Sequence, residues 1–321
     1  MPAPRRWMSG FLATLAGVLS VWLVLPLAAR DADLPANRWI HEGLTRKLSI
    51  AQGRHGKVVL LGGSSVHFGL SARRLEERHG IAAVNIGQHA GLGLRYILDY
   101  GRRAVFPGDT VVLSLEYGLW EAERVQGVRN TYLLAHDVAY VYALPPLSLV
   151  RFLAGVRPGE WAQLIRAPRS GAPAPPVGGY QASSIDAFGD ETANAVAPDP
   201  AVVERLMTEP VSRHLQLDPA TVDQVRRFAD DLRRAHIGFV IAHPYQLRRH
   251  FDVARNGPFY RRLADRLASA GLRQAGDPEA AVFDRPCVYD SPYHPVRQCA
   301  EQHSDRLAAA LREHAALSPV P

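Results

Sequence analysis

The sequence predicts an α/β fold, a doubly wound, mostly parallel sheet in three layers, with a mainly helical and loop insertion. Three observations carry this reading. Short continuous apolar runs recur at residues 58–61, 82–86, 110–115 and 237–242, the pattern of strands buried on both faces. Helix-length amphipathic segments lie between and after them, set off by Gly and Pro turns. The 321 residues, 47% hydrophobic and 21% charged, are enough for one large core plus a terminal segment.

The chain opens with Arg5 and Arg6, followed by an uncharged stretch over residues 7–29 of bilayer-spanning length. Arg30-Asp31-Ala32-Asp33 closes it. This charge order keeps the N-terminus cytoplasmic and exports the remainder, as a single-pass inner-membrane protein with its main domain in the periplasm. A cleaved signal peptide is the rival reading, although no small-x-small site follows the apolar run. Residues 1–33 are thus an anchor or signal, and 34–56 a stalk and first helix.

The α/β pattern then occupies residues 57–117 and 211–315. The strand at 58–61 leads to a helix over 71–79 with Ser71 as N-cap. The strand at 82–86 ends at Asn85-Ile86-Gly87 and precedes a helix over 92–103. The strand at 110–115 follows Phe106-Pro107-Gly108-Asp109. A long amphipathic helix over 219–235 starts with Asp218 as N-cap and Pro219 at its first position. The strand at 237–242, a helix over 259–270, a last strand at 280–283 and a helix over 299–314 complete the pattern. Residues 118–210 break the rhythm and read as an insertion. Within it residues 138–156 are apolar but carry Pro145-Pro146 at their centre, which predicts two short helices rather than a second span. Residues 166–179, rich in Pro, Gly and Ala, read as a loop.

Charge excludes little and suggests little. The net +6 is scattered, with no basic stripe interleaved with aromatics, so nucleic acid is not an expected partner; an acidic polymer or an anionic membrane surface fits equally well. No His/Cys cluster has ligand spacing, so neither a metal nor a cofactor is expected. Cys287 and Cys299 are the only cysteines and bracket His294. In an oxidising compartment they pair and tie down that loop; otherwise they are two buried thiols.

The chemistry-bearing residues lie near the two ends of the α/β pattern. Gly63-Ser64-Ser65-Val66-His67-Phe68-Gly69 places Ser65 in a small-residue turn after the first strand, at the carboxyl edge where α/β sheets bind ligands. Asp290-Ser291-Pro292-Tyr293-His294-Pro295 supplies a histidine as base, with a carboxylate before it. Asp290 either orients His294 or caps the helix that follows, leaving a Ser65–His294 dyad.

These segments resemble the blocks of the SGNH/GDSL hydrolases, a superfamily with a flavodoxin-like three-layer fold. Leu61–Gly69 resembles the first block, Gly-Asp-Ser-x-x-x-Gly, with Ser65 at the nucleophile and Ser64 in place of Asp. Asn85-Ile86-Gly87-Gln88-His89-Ala90-Gly91 resembles the second, which implies an oxyanion hole formed by the N–H groups of Ser65 and of Gly91, or of Ala90 if loop lengths differ. Asp290–His294 resembles the last, although the family's Asp-x-x-His is here one residue longer. The third block departs further: where the family places an Asn after the third strand, Leu113-Ser114-Leu115-Glu116-Tyr117 carries Glu116, and an ionised carboxylate repels an oxyanion. The anchored layout resembles the DltD-like proteins and the SGNH-like partners of membrane-bound O-acyltransferases. The resemblance implies a serine acyltransferase or esterase acting on a cell-surface polysaccharide or envelope polymer. The rival it leaves open is a non-catalytic polymer-binding or scaffolding partner of a membrane-bound O-acyltransferase.

Further candidates surround this core. His67 and His89 either touch substrate or bond backbone groups. Tyr245 and Arg248, after the fourth strand, either bind sugar or phosphate or begin a solvated helix. Asp186-Ala187-Phe188-Gly189-Asp190 lines the cleft or is a surface turn.

Overall fold

The computed structural model describes residues 3–122, 127–169, 180–211 and 213–316. Nine strands are described: β1 Val58–Gly62, β2 Ala83–Asn85, β3 Thr110–Ser114, β4 Gly238–Ala242, β5 Gln246–Leu247, β6 Gln274–Ala275, β7 Val282–Phe283, β8 Val288–Ser291 and β9 His294–Pro295. The main sheet has the order β2-β1-β3-β4-β6 and is parallel throughout. The fold is the doubly wound α/β architecture that the alternating pattern predicts. Its strand order reverses between β1 and β3, the crevice where open α/β sheets bind ligands.

The two faces of the sheet follow the side-chain period of two. Leu60, Val112 and Val240 pack with Leu75 and Leu307 on one face. On the other, Leu61 meets the helix Leu94–Arg103 so closely that a Cβ on Gly101 would lie 2.5 Å from its Cδ2. The predicted caps form: Ser71 accepts from the Arg74 N–H, and Asp218 from the Ala220 N–H.

The edge of the sheet differs from expectation. The apolar run at 280–283 does not join it; β7 pairs with β5 in a separate two-stranded sheet. The fifth strand is β6, paired with β4 at Ile241 and Ala242. Two residues are too few to leave a period in sequence, so only the neighbouring strand reveals β6.

The chain divides into two compact units, Met1–His41 with Val125–Val177, and Glu42–Arg124 with Gly178–Pro321. The insertion expected over 118–210 is therefore split: its start, as far as Arg124, and its last third belong to the α/β unit. The stalk expected over 34–56 is split as well. From residue 42 onward the helix Pro35–Gln52 is part of the α/β unit, with Leu44, Lys47 and Ala51 buried along one helical face.

In the first unit, Ala3–Ala29 forms one helix, with Pro26 inside it. Side chains of the expected anchor at residues 1–7, Arg5 and Arg6 among them, lie outside the described residues. Among the described residues, no helix is long and apolar enough to cross a membrane. The apolar stretch at 138–156 forms two helices, Val138–Tyr142 and Pro146–Gly155, broken at the proline pair as its sequence predicts. Most of the loop expected at 166–179 lies outside the described residues.

Candidate active site

Ser65 begins the site. β1 ends at Gly62, and Ser64–Gly69 immediately forms a short helix. Ser65 is 2% exposed, and its Oγ makes no hydrogen bond. Its backbone N–H donates to Glu116 Oε1 at 2.7 Å, and the Ser64 hydroxyl donates to the same oxygen at 3.2 Å. Glu116 follows β3, so the two residues meet at the point where the strand order reverses. A Cβ on Gly63 would stand 2.3 and 2.5 Å from the two Glu116 carboxylate oxygens, so a larger residue there displaces that carboxyl group.

His294 arrives on the antiparallel hairpin β8–β9. Asp290 Oδ1 lies 2.6 Å from His294 Nδ1. Asp290 therefore orients the histidine, and an Nδ1–H donor leaves Nε2 with its lone pair. The Tyr180 hydroxyl donates to the other Asp290 oxygen. Burial pushes the Asp290 carboxyl up, but the hydrogen bond and charge of His294 outweigh it and hold it below the usual range. The disulfide Cys287–Cys299 closes around this hairpin, with a Cα–Cα distance of 5.7 Å, as the positions of the two cysteines predict.

Three contacts bring the hairpin to the Ser65 helix. The Phe68 ring, one turn after Ser65, stacks on His294 with centroids 4.2 Å apart. Asn194 Nδ2 donates to the Phe68 carbonyl at 3.2 Å and to the Pro295 carbonyl at 3.0 Å, bridging helix and hairpin. A Cβ on Gly69 would meet Tyr245 Cβ at 3.3 Å, with Pro295 Cδ at an ordinary contact distance of 3.8 Å. No hydrogen bond joins Ser65 Oγ to His294, so the expected Ser–His contact is not closed in this state.

The expected oxyanion donors are both engaged. Glu116 holds the Ser65 N–H, and the Gly91 N–H donates to His89 Nδ1 at 3.0 Å. Ala90 opens the short 3₁₀ turn Ala90–Leu92 between them. Beside this loop Gln88 is buried, with neither amide atom bonded. Burial and the nearby His294 lower His89 to about 4, so its ring is neutral and half-buried next to the proposed base.

A second buried ensemble lies under the site. Lys47 Nζ stands 2.8 Å from His67 Nδ1 and 3.0 Å from the Gly87 carbonyl; His67 Nε2 stands 2.9 Å from Glu191. Burial and then Lys47 lower His67 to about 4. Burial raises the Glu191 carboxyl, but the His67 hydrogen bond prevails and brings it to about 2. Burial also lowers Lys47 to about 8. Neutral His67 thus accepts from Lys47 and donates to Glu191. With both ring nitrogens committed it does not reach for substrate. Asn85 completes the frame, donating to the Val66 and Leu70 carbonyls and accepting from the Gly87 N–H.

The other candidates separate from the site. Tyr245 is 2% exposed and stacks on His303, within the packing core. Arg248 is exposed and pairs with Asp284 at 2.8 Å. The Asp186–Asp190 turn neither lines a cleft nor lies free: Asp190 accepts from the Ser71 hydroxyl and the Ala72 N–H, and Asp186 pairs with Arg73.

Lys47, Glu191 and Asn194 are the residues that sequence reasoning missed. Lys47 leaves a trace, a lysine in register with Leu44 and Ala51 on a buried helical face. Glu191 and Asn194 leave none, because their partners are distant in sequence. A cavity of about 240 Å³ is lined by Leu115, Tyr117, Trp120, Ile241, Tyr260 and Leu263, with neither Ser65 nor His294 in its wall. A larger, charged cleft between the helices Leu94–Arg103 and Pro219–Arg234 is remote from these groups. Among the described residues, no cluster of His, Cys, Asp and Glu could hold a metal ion. Comparison with protein-family models, with curated proteins and with solved structures finds no match.

Proposed function

We propose that the α/β unit is a serine acyltransferase or esterase of the SGNH type, acting on an acylated envelope polymer or cell-surface polysaccharide. One observation carries the reading: an Asp290–His294 pair at 2.6 Å, on a hairpin fastened by Asn194 and Phe68 to the helix of a buried serine whose hydroxyl is unpartnered. Ser65 Oγ attacks the ester carbonyl carbon while His294 Nε2 takes its proton. The C–O bond to the leaving alcohol breaks, and His294 returns the proton to it. A polymer hydroxyl, or water, then attacks the acyl carbon and gives its proton to His294; the bond from the acyl carbon to Ser65 Oγ breaks, and His294 returns that proton to Oγ. Asp290 stabilises the transient imidazolium.

Anchorage to the membrane is part of the same proposal. It is supported by the exposed Met8, Phe11, Leu12, Val24 and Leu27 on the N-terminal helix and by a disulfide suited to the periplasm. The test is labelling of the full chain with a fluorophosphonate serine probe. Wild type reacts, and Ser65→Ala and His294→Ala do not. Equal labelling of wild type and Ser65→Ala overturns the reading.

A second reading has its own observation. The Glu116 carboxylate occupies the Ser65 N–H, and His89 the Gly91 N–H. A site with both donors engaged suits a non-catalytic polymer-binding partner of a membrane-bound O-acyltransferase. That reading expects polymer binding without probe labelling.

A further inference from the structure

We infer that Glu116 is a catalytic residue, a neutral carboxyl group that donates from Oε2 to the oxygen gaining charge when Ser65 attacks. The inference rests on the acyl-enzyme reading and replaces its oxyanion hole. The geometry begins with the two carboxyl oxygens. Oε1 accepts from the Ser65 N–H and the Ser64 hydroxyl, while Oε2 is buried with no partner. The residue is 5% exposed, and among the described residues no cation pairs with it. An unpaired buried carboxylate is costly, whereas a neutral carboxyl with one accepting and one donating oxygen satisfies the Oε1 contacts and leaves a single donor. Nothing among the described residues accepts from that donor, and such buried orphans are retained where a ligand completes them. Ser65 Oγ, the other unpartnered polar atom of this turn, belongs to the same residue as the N–H that Glu116 grips.

The surroundings set the protonation. Ser64 and Ser65 face Glu116 from the short helix. His294 and Tyr293 act on it from the hairpin, and Arg213, paired with Glu121, lies by Gly118 farther along its own loop. Burial raises the carboxyl, more than the Ser65 N–H, its own backbone N–H, the His294 charge and the Ser64 hydroxyl lower it. Gly63 provides the clearance that keeps the carboxyl in place.

The experiment is the rate of fluorophosphonate labelling of the full chain over pH, in wild type, Glu116→Gln and Glu116→Ala. The wild-type rate falls as pH rises and the carboxyl ionises. Glu116→Gln, which keeps a neutral donor and the side-chain shape, loses less than about tenfold and has no such alkaline fall. Glu116→Ala loses about 10²-fold, as for removal of an oxyanion donor. An alanine variant that labels as fast as wild type, or an alkaline fall unchanged in Glu116→Gln, overturns the inference while leaving Ser65 as nucleophile. Failure of wild type to label overturns the acyl-enzyme reading itself. An infrared difference spectrum of wild type minus Glu116→Gln should contain a carboxylic C=O band at neutral pH; a carboxylate band in its place also overturns the inference.

Discussion

His67 belongs to the short helix Ser64–Gly69 and His294 stacks on Phe68 of the same helix; each faces a carboxylate, yet their chemistry is opposite. His67 is locked between Lys47 and Glu191, and both its nitrogens are committed. His294 is bound at Nδ1 alone, by Asp290, and stacks on Phe68. A histidine committed at both nitrogens is a strut. One committed at a single nitrogen is oriented and still able to carry a proton. The difference arises from the elements that carry them: His67 is enclosed by three segments, whereas His294 sits on a hairpin held at its base.

The sharpest test exchanges the two roles. His294→Ala should lower fluorophosphonate labelling by about 10³-fold or more while changing stability by about 1 kcal/mol. His67→Ala should destabilise by about 3–5 kcal/mol, because it strands Lys47 and Glu191 in the interior, and should retain labelling in the fraction that stays folded. Urea denaturation and probe kinetics on both variants decide. The same pattern in both would abolish the distinction.

Acid should act on the strut before the hairpin. His67 and His303 are buried and titrate near 4 rather than 6.5. The unfolded chain therefore binds more protons between these values, and stability present above pH 6.5 is lost as pH falls towards 4. Asp190, raised to about 6 chiefly by burial, opposes this: its contribution is present below the ordinary carboxylate range and is lost as pH rises through 6. His89, His136 and His243 are lowered to about 4 as well, so five histidines outweigh one carboxyl and a net loss of stability is expected as pH falls across the window, read by denaturant midpoints. A flat profile would mean that the histidines are solvated.

Reduction sharpens the comparison from the other side. The Cys287–Cys299 bridge spans a separation of 12 residues around Asp290 and His294. Breaking it should cost about 2–3 kcal/mol and slow labelling while the Lys47–His67–Glu191 ensemble stays protected from hydrogen exchange. The smallest effect belongs to Tyr180→Phe, which removes one hydrogen bond to Asp290. About 1–2 kcal/mol of support for the Asp290–His294 pair is lost, visible as a modest drop in labelling with little change in stability.

Much of the fold was legible in the sequence because it is local. Apolar runs mark β1, β3 and β4, and Ser71 and Asp218 mark helix starts. The proline pair marks the break between Val138–Tyr142 and Pro146–Gly155. The place of Ser65 directly after β1 and the Asp290–His294 contact were legible too, since a serine after a strand and an acid–histidine pair within one hairpin need no distant information. The disulfide belongs with them, its two cysteines lying close in sequence. Tertiary structure alone decided the rest. β6, not the apolar run at 280–283, completes the sheet, because pairing with β4 rather than period defines it. His67 meets Lys47 across 20 residues and Glu191 across 124, and Asn194 joins two carbonyls 126 and 101 residues away. Glu116 was visible as a departure, but not its grip on the Ser65 N–H, 51 residues distant. Sequence records what each residue does to its own neighbours. Whether a buried charge is a strut, an orphan or a working group depends on which distant atoms share its low-dielectric surroundings, and only the folded chain brings those atoms together.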